Sequence, residues 1–576
     1  MLSGFIETMQ SASATYFHVL IAVLRWAAPI IVGLLLLRCI WPLLTFRREP
    51  EIWAWLCMTD GTKIPVTHWE NVIGRSKRSD IVIDFPTVSR SHGVLTRYDD
   101  GSWSITSTNA TKRIQVNGQD VDIYPLQPED VISIGGVELM LLPISRKQEL
   151  KLAQLRTKAS SVLYSVCNLL LLTLFQFFCC LAFVLGGTPE SARAVLIGFG
   201  GIVACQWLLF LFYVCIHRAS FEVETIAFLL TTVGMAAIAS VVPDEALKQL
   251  IAMVMGVVLF LSIGWAVRDL ERAKKIRFVA GVAGILFLVI TLLFGKEHYG
   301  AKNWLEIGSM SVQPSEFTKV CFVFIGASAM DRLMKMRNLI YFIAYSVVLC
   351  GCLALMNDFG TALIFFCAFL LVAYMRSGNI LATVALAVTA VAFACVVVLK
   401  IAPHALQRFS TWRHIWDDPL NKGYQQTRAL MCMASGGLLG LGPGQGWMKN
   451  VFAADSDMVI ATIAEEWGLI FLLLLIAGVV ALGIFAMRSA AVGRSSFYTI
   501  GACTAAAIML VQVILNALGT VDVLPLTGVT FPFLSNGGSS MICSWGLLAF
   551  IKAADTRQNA SFAVRLLKRG GKEEDE

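Results

Sequence analysis

Asp457 ends a polar stretch, and the apolar run 458–487 starts at the next residue. A carboxyl there lies near a predicted helix N-terminus, whose positive dipole end favours the ionised form. It is either a base at a membrane surface or an N-capping residue without chemistry. Asp455 stands two residues earlier; the two like charges oppose each other's ionisation, or both carboxylates hold one divalent metal. Glu316 and Lys319 fall inside another apolar stretch. Ionisable groups at membrane depth are costly and face a cavity or a partner, and at i and i+3 these two share a helix face. They either pair with each other, locking helices together, or take an anionic ligand. Between Gly436 and Gly446 glycine recurs at short intervals. That spacing excludes an ordinary lipid-facing helix and predicts backbone amides open to a pyrophosphate. Arg408 and Arg413 offer such a ligand further charge, or are snorkelling interface arginines.

The elements that must hold these groups are membrane helices. The chain is 57% hydrophobic and 15% charged, too apolar for a string of soluble domains. A hydrocarbon core takes about 20 apolar residues per helix. Runs near 17–44, 160–186, 193–216, 221–242, 246–267, 276–295, 315–331, 338–356, 360–375, 379–401, 458–487, 496–517 and 538–553 predict about thirteen spans. The first is too long for a signal-peptide core and lacks a basic segment before it, so it reads as an anchor. The net charge of +7 sits in short loops between apolar runs, which is topology and not a nucleic-acid footprint. Basic residues fall on alternate loops, for example Arg268–Arg277, Arg332–Arg337, Arg376 and Arg488–Arg494. This orientation predicts an outside N-terminus, a cytoplasmic 47–158 and C-terminal tail, and an extracytoplasmic loop 402–457. The 15 cysteines lie mostly in apolar runs and read as small buried hydrophobes.

Residues 50–146 differ from the rest: short alternating runs such as KIPVT, WSITS and VISIGGVELMLL are separated by Gly, Asp and Asn turns, a β-sandwich pattern. Gly74-Arg75-Ser76, Ser89-Arg90-Ser91-His92, Ser107-Thr108-Asn109 and Val116-Asn117-Gly118 follow in order. Here the sequence resembles a forkhead-associated (FHA) domain. The resemblance implies a phosphothreonine pocket of Arg75, Ser89, Arg90, Thr108 and Asn109, with His92 holding the loop. A guanidinium and neutral donors suit the three phosphate oxygens.

From about 219 to 555 the chain resembles the SEDS family of FtsW, RodA and SpoVE. The motifs are Gly300-Ala301-Lys302-Asn303-Trp304, Gln313-Pro314-Ser315-Glu316-Phe317-Thr318-Lys319, Asp358-Phe359-Gly360-Thr361-Ala362, Gly423-Tyr424-Gln425, the glycine run from Ser435, Ala464-Glu465-Glu466-Trp467-Gly468, Asn516, and Pro532-Phe533-Leu534-Ser535-Asn536-Gly537-Gly538-Ser539-Ser540. The resemblance implies a ten-span core and a peptidoglycan glycosyltransferase that polymerises lipid II. It implies Asp457 as the catalytic residue and a substrate cavity of Glu316, Lys319, Asp358, Arg408, Gln425, Ser435, Gly436, Gly437, Glu466 and Ser535. A divalent cation (Mg or Mn) on Asp457, with Asp455, and a class B penicillin-binding protein as partner are also expected. Three positions depart from the family pattern: Asp455-Ser456 replaces His-Thr before the aspartate, Asn357 replaces Pro, and Asn536 replaces Tyr. They keep a catalytically inactive scaffold open as an alternative, and the charges inside the bundle keep open a lipid II transporter.

The expected organisation is thus a polytopic α-helical bacterial plasma-membrane protein with an inserted cytoplasmic all-β FHA sandwich: an anchor (1–46), the sandwich (50–146), a linker with two extra spans (147–218), the SEDS core (219–555) and a charged tail (556–576).

Overall fold

The computed structural model describes residues 14–45, 51–77, 79–98, 101–108, 113–145, 147–148, 151, 161–217, 220–298, 301–308, 310–328, 336–377, 379–401, 409–491, 493 and 495–555. Arg408, Asn109 and the tail 556–576 lie outside them.

The chain opens with helix α1 (Ala14–Thr45) and then builds eleven strands: β1 (Ala54–Met58), β2 (Lys63–Val66), β3 (Glu70–Gly74), β4 (Ile81–Val82), β5 (Gly93–Arg97), β6 (Trp103–Ser107), β7 (Ile114–Val116), β8 (Gln119–Val121), β9 (Ile123–Leu126), β10 (Val131–Ile134) and β11 (Val137–Pro143). They form two sheets, ordered β2-β1-β11-β10-β7-β8 and β4-β3-β5-β6-β9. Alternate residues turn inward, as strand geometry requires. Leu56, Ile73, Ile81, Leu95, Ile105, Ile114, Ile132 and Ile134 form a core separate from that of the helices.

The helices that follow are α2 (Val162–Gly186), α3 (Pro189–Cys215), α4 (Glu222–Val241), α5 (Ala246–Val267) and α6 (Leu270–Phe294). A three-stranded sheet of β12 (Lys296–His298), β13 (Ala301–Ile307) and β14 (Met310–Val312) interrupts them. Then come α7 (Pro314–Ser328), α8 (Met336–Leu355), α9 (Phe359–Ser377), α10 (Ile380–Ile401), α11 (Tyr424–Gly436), α12 (Val459–Trp467), α13 (Leu469–Ala491), α14 (Ser496–Thr520) and α15 (Gly538–Ala553). Eight helices of the described residues are long and apolar enough to cross a membrane, and four shorter ones are also apolar. The single span expected at 458–487 is two helices. Gly468 breaks it at φ +89°, and a Cβ there would lie 2.4 Å from Leu438 O, so only glycine fits.

Helix α4 is the axis of the bundle: 94% of its most apolar window is buried, against 22–72% for the other seven long helices. Around it α5 packs on α15, α6 on α7, and α14 on α7, α9, α13 and α15. The three helices before α4 are part of this bundle. Helix α1 packs on α13 and α2, and α2 and α3 pack on α4. Buried polar groups fix that register: Gln176 Nε2 donates to Gln206 Oε1 and Thr232 Oγ1, both at 2.9 Å. Lys552 Nζ lies 3.0 Å from both Glu224 carboxylate oxygens, and Tyr213 OH donates to Glu224 Oε1 (2.9 Å), a fully buried tie between α3, α4 and α15. Leaving either group unpaired there would cost far more than the pair itself contributes.

The sandwich is fastened to the bundle. Helix α14 begins after Ser495, and Glu70 on β3 takes up its first free donors, accepting from Ser496 N (2.9 Å), Ser496 Oγ (3.1 Å) and Ser495 Oγ (3.2 Å). A carboxylate at a helix N-terminus satisfies an orphan N–H and meets the positive dipole end.

Candidate active site and phosphopeptide pocket

Asp457 lies on the irregular segment 451–458, one residue before the Met458 cap of α12. Three successive carbonyls of this segment each have a donor from the C-terminal part of the chain. Asn536 N donates to Asp455 O (2.7 Å), Ser535 Oγ to Ser456 O (2.7 Å), and Asn516 Nδ2 to Asp457 O (2.9 Å). Asn516 also donates to Val529 O (2.7 Å), tying in the loop that carries Gly528. Gly528 has φ +69°, and a Cβ there would come within 3.4 Å of Asp457 Oδ2. Buried Ser535 thus fastens the backbone of the segment and accepts from Phe531 N (2.8 Å).

Asp455 is engaged as well: Asn536 Nδ2 donates to Asp455 Oδ2 and to Glu245 Oε2, each at 2.7 Å. Glu245 comes from the α4–α5 turn, and its other oxygen meets Lys248 Nζ at 3.1 Å. Among the described residues no group of three or more His, Cys, Asp or Glu is disposed to hold a metal.

Glu316 and Lys319 pair with each other at 2.7 Å, both deeply buried near the start of α7. Asp358 accepts from Thr361 N (3.1 Å), capping α9, and from Asn303 Nδ2 (3.2 Å) on β13. Asn357 before it has φ +59°, which proline cannot adopt and asparagine tolerates.

The glycine run behaves differently from the expectation of open amides. Leu441 N donates to Glu465 O (2.9 Å), Gly442 N to Glu466 O (2.8 Å), Gly444 N to the Glu466 carboxylate (3.0 Å) and Met448 N to the Glu465 carboxylate (2.8 Å). Glu466 also accepts from Ser240 Oγ. Glycine is needed here for close packing: a Cβ at Gly436 or Gly440 would lie 2.3 or 2.2 Å from backbone oxygens of α12. Ser435 bonds Cys432 O (2.8 Å), and Gln425 bonds Phe452 O (3.1 Å), both within this same layer. The layer also meets the helices before α4, since a Cβ at Gly442 would strike Ile21 of α1 at 2.3 Å.

The second candidate site lies on the sandwich loops. Arg75 N donates to Ser89 O (2.9 Å) and Ser76 N to Arg90 O (3.2 Å), while a Cβ at Gly74 would lie 2.3 Å from Arg90 O. The missing side chain lets the two loops touch, which brings Arg75, Ser89 and Arg90 to one edge. His92 accepts from Ser89 N at 3.1 Å, and Thr108 Oγ1 donates to Ser91 O at 3.0 Å. Arg75 and Arg90 are exposed.

Glu245 and Glu70 carry no motif that singles them out in the sequence, and Glu465 stands there only as a motif residue. Only the acidic Asp244-Glu245 pair in a short turn could have flagged the first.

Fold and sites together define a polytopic helical membrane protein that carries a loop-faced β-sandwich near one end and an acidic, tightly fastened segment in its helical part. The family model described as cell cycle protein (FtsW/RodA/SpoVE) matches residues 227–560, and the FHA domain model matches 71–135. The chain belongs to the FtsW/RodA/SpoVE family. It is 30% identical over 323 residues to the peptidoglycan glycosyltransferase RodA of Mycobacterium bovis, covering 53% of this chain and 69% of that one. Against the probable peptidoglycan glycosyltransferase FtsW of Bacillus subtilis it is 28% identical over 339 residues, or 54% and 83% of the two chains. A solved structure concerning the coordination of polymerization and crosslinking by a peptidoglycan synthase complex aligns with 57% of this chain and 96% of its own, at 23% identity and a TM-score of 0.48.

Proposed function

We propose that the chain is a peptidoglycan glycosyltransferase that polymerises lipid II at the extracytoplasmic face of the membrane, governed by a cytoplasmic sandwich that reads phosphothreonine. The observation that supports it best is the fastening of the Asp457 segment: three neighbouring carbonyls are held by three donors, which fixes the backbone that carries the carboxylate before substrate arrives. Such preorganisation is what general-base catalysis requires.

In the reaction the acceptor's 4-hydroxyl oxygen attacks the anomeric carbon of the donor sugar, and the bond to the lipid pyrophosphate breaks with inversion. Asp457 accepts the hydroxyl proton. A magnesium-type ion, which keeps several waters and needs one or two protein carboxylates, fits Asp457 better than a dedicated cage, and when bound would neutralise the leaving pyrophosphate. Glu316 and Lys319 hold each other's charge within the helix bundle. Asp358 caps α9 and Glu466 ties the glycine layer, so both act on the frame around the site. A class B penicillin-binding protein is the expected partner, consistent with family membership.

The test is lipid II polymerisation by the purified protein with Mg²⁺ or Mn²⁺ and a matching transpeptidase. Glycan strands made by the wild type and lost in Asp457→Ala are expected. Strands in both would reassign the base, and strands in neither would move the protein to the transporter or scaffold class.

A further inference from the structure

Two of the departures from the family pattern touch each other. Asn536 stands between two carboxylates and gives one hydrogen bond to each, to Asp455 Oδ2 and Glu245 Oε2 at 2.7 Å, while its own N–H holds Asp455 O at 2.7 Å. These residues are 81 and 291 positions apart in sequence, so the contact ties three otherwise separate pieces: the segment of Asp457, the loop before α15 and the turn between α4 and α5. Gln249 Nε2 on α5 donates to Ser535 O (3.3 Å) and secures the same loop.

The chemistry suits a neutral amide and little else. Asparagine has two N–H donors on one nitrogen, enough to serve two acceptors that would otherwise repel. Lys248 offsets part of the Glu245 charge from the solvent side. An aspartate at 536 would put a third carboxylate against the other two, and an aliphatic residue would leave both without their shared donor.

We propose that Asn536, with Asp455 and Glu245, is a positioning clasp for Asp457: Asp455 is a tether and not a second metal ligand, and Asn536 sets the placement of the base without touching substrate. The inference rests on the glycosyltransferase reading for its kinetic arm only. It also gives the two departures a joint role, in which each residue supplies the other's hydrogen-bond partner.

The experiment uses the full-length protein in detergent with three variants: Asn536→Asp, Asp455→Asn with Asn536→Asp, and the triple variant that adds Glu245→Gln. In the triple variant both bonds are rebuilt with reversed polarity, amides at 455 and 245 donating to a carboxylate at 536. Expected is a loss of at least tenfold in kcat for Asn536→Asp with the KM for lipid II within about threefold of wild type, partial recovery in the double variant, and return to within about threefold in the triple. Hydrogen exchange of the 451–458 amides should rise in Asn536→Asp and fall back in the triple variant. Wild-type kcat and exchange in Asn536→Asp, or no recovery in the triple variant while it remains folded, would overturn the clasp. If the wild type makes no glycan, the glycosyltransferase reading fails, and exchange alone still decides whether the clasp holds the segment.

Discussion

Lys319 and Glu316 sit where neither can find water, at 1% and 6% side-chain exposure. Removing one partner of such a pair leaves a bare charge in a low-dielectric interior, which costs about 3–5 kcal/mol, whereas replacing both with apolar groups of similar volume is close to neutral. Lys319→Met is therefore expected to lower the unfolding midpoint in detergent sharply, and Lys319→Met with Glu316→Leu to recover most of the loss. Thermal unfolding followed by intrinsic fluorescence reads both. This pair was legible in the sequence because helix spacing alone brings i and i+3 together. The partners of Asp457 were not: Asn516 lies 59 residues away, and nothing local in the sequence says that an amide near the end of a long apolar helix will hold that carbonyl. The open amides expected of the glycine run failed for a related reason. The acceptors that occupy them, Glu465 and Glu466, belong to a different helix and become neighbours only on folding.

Helix α14 shows what an element can do that its residues cannot. Its first turn is capped by Glu70 of the sandwich, and Asn516, twenty residues on, holds the Asp457 segment. At 1.5 Å per residue that is about 30 Å, the thickness of a hydrocarbon core. Glu70→Ala removes an N-terminal acceptor worth about 1 kcal/mol. The expected result is faster hydrogen exchange at residues 496–499 and readier proteolysis between sandwich and bundle, with the sandwich core itself unchanged. The break between α12 and α13 makes a second test. Gly468→Ala must adopt φ +89° and also meet Leu438 O, so it should destabilise the protein by well over 1 kcal/mol, seen as a lower unfolding midpoint. Elements of this kind were only half readable. Hydropathy located nearly every helix because twenty apolar residues are hard to mistake, but it ran 458–487 together, since the chain stays apolar through the glycine that divides it. The strands at 296–312 were missed because their sequence carries motif residues and little alternation.

At the scale of the molecule, two folding units with separate cores share one contact surface. The sandwich was legible as a unit from its turn spacing, but its seat on α14 was not, because Glu70 and Ser496 are 426 residues apart. Arg75 directly follows Gly74, the last residue of β3, at the opposite end of the strand from Glu70. Arg75→Ala is expected to weaken binding of a phosphothreonine peptide by roughly tenfold to a hundredfold, the worth of one charge-assisted hydrogen-bonded group. Fluorescence anisotropy with a labelled peptide and its unphosphorylated control measures it, and undiminished affinity would remove Arg75 from the pocket. Only eight residues separate Thr45 at the end of α1 from Ala54 at the start of β1, a reach of about 30 Å at full extension. A reader seated on the bundle and joined to α1 by so short a leash meets only what enters a thin layer beside the bilayer, and not the volume of the cell. A phosphorylated segment carried by another membrane-anchored protein would meet it at an effective concentration of order millimolar, while the same segment free in solution would have no such advantage. Weak intrinsic affinity would then be enough for selective capture, and the lipid surface itself would act as part of the recognition.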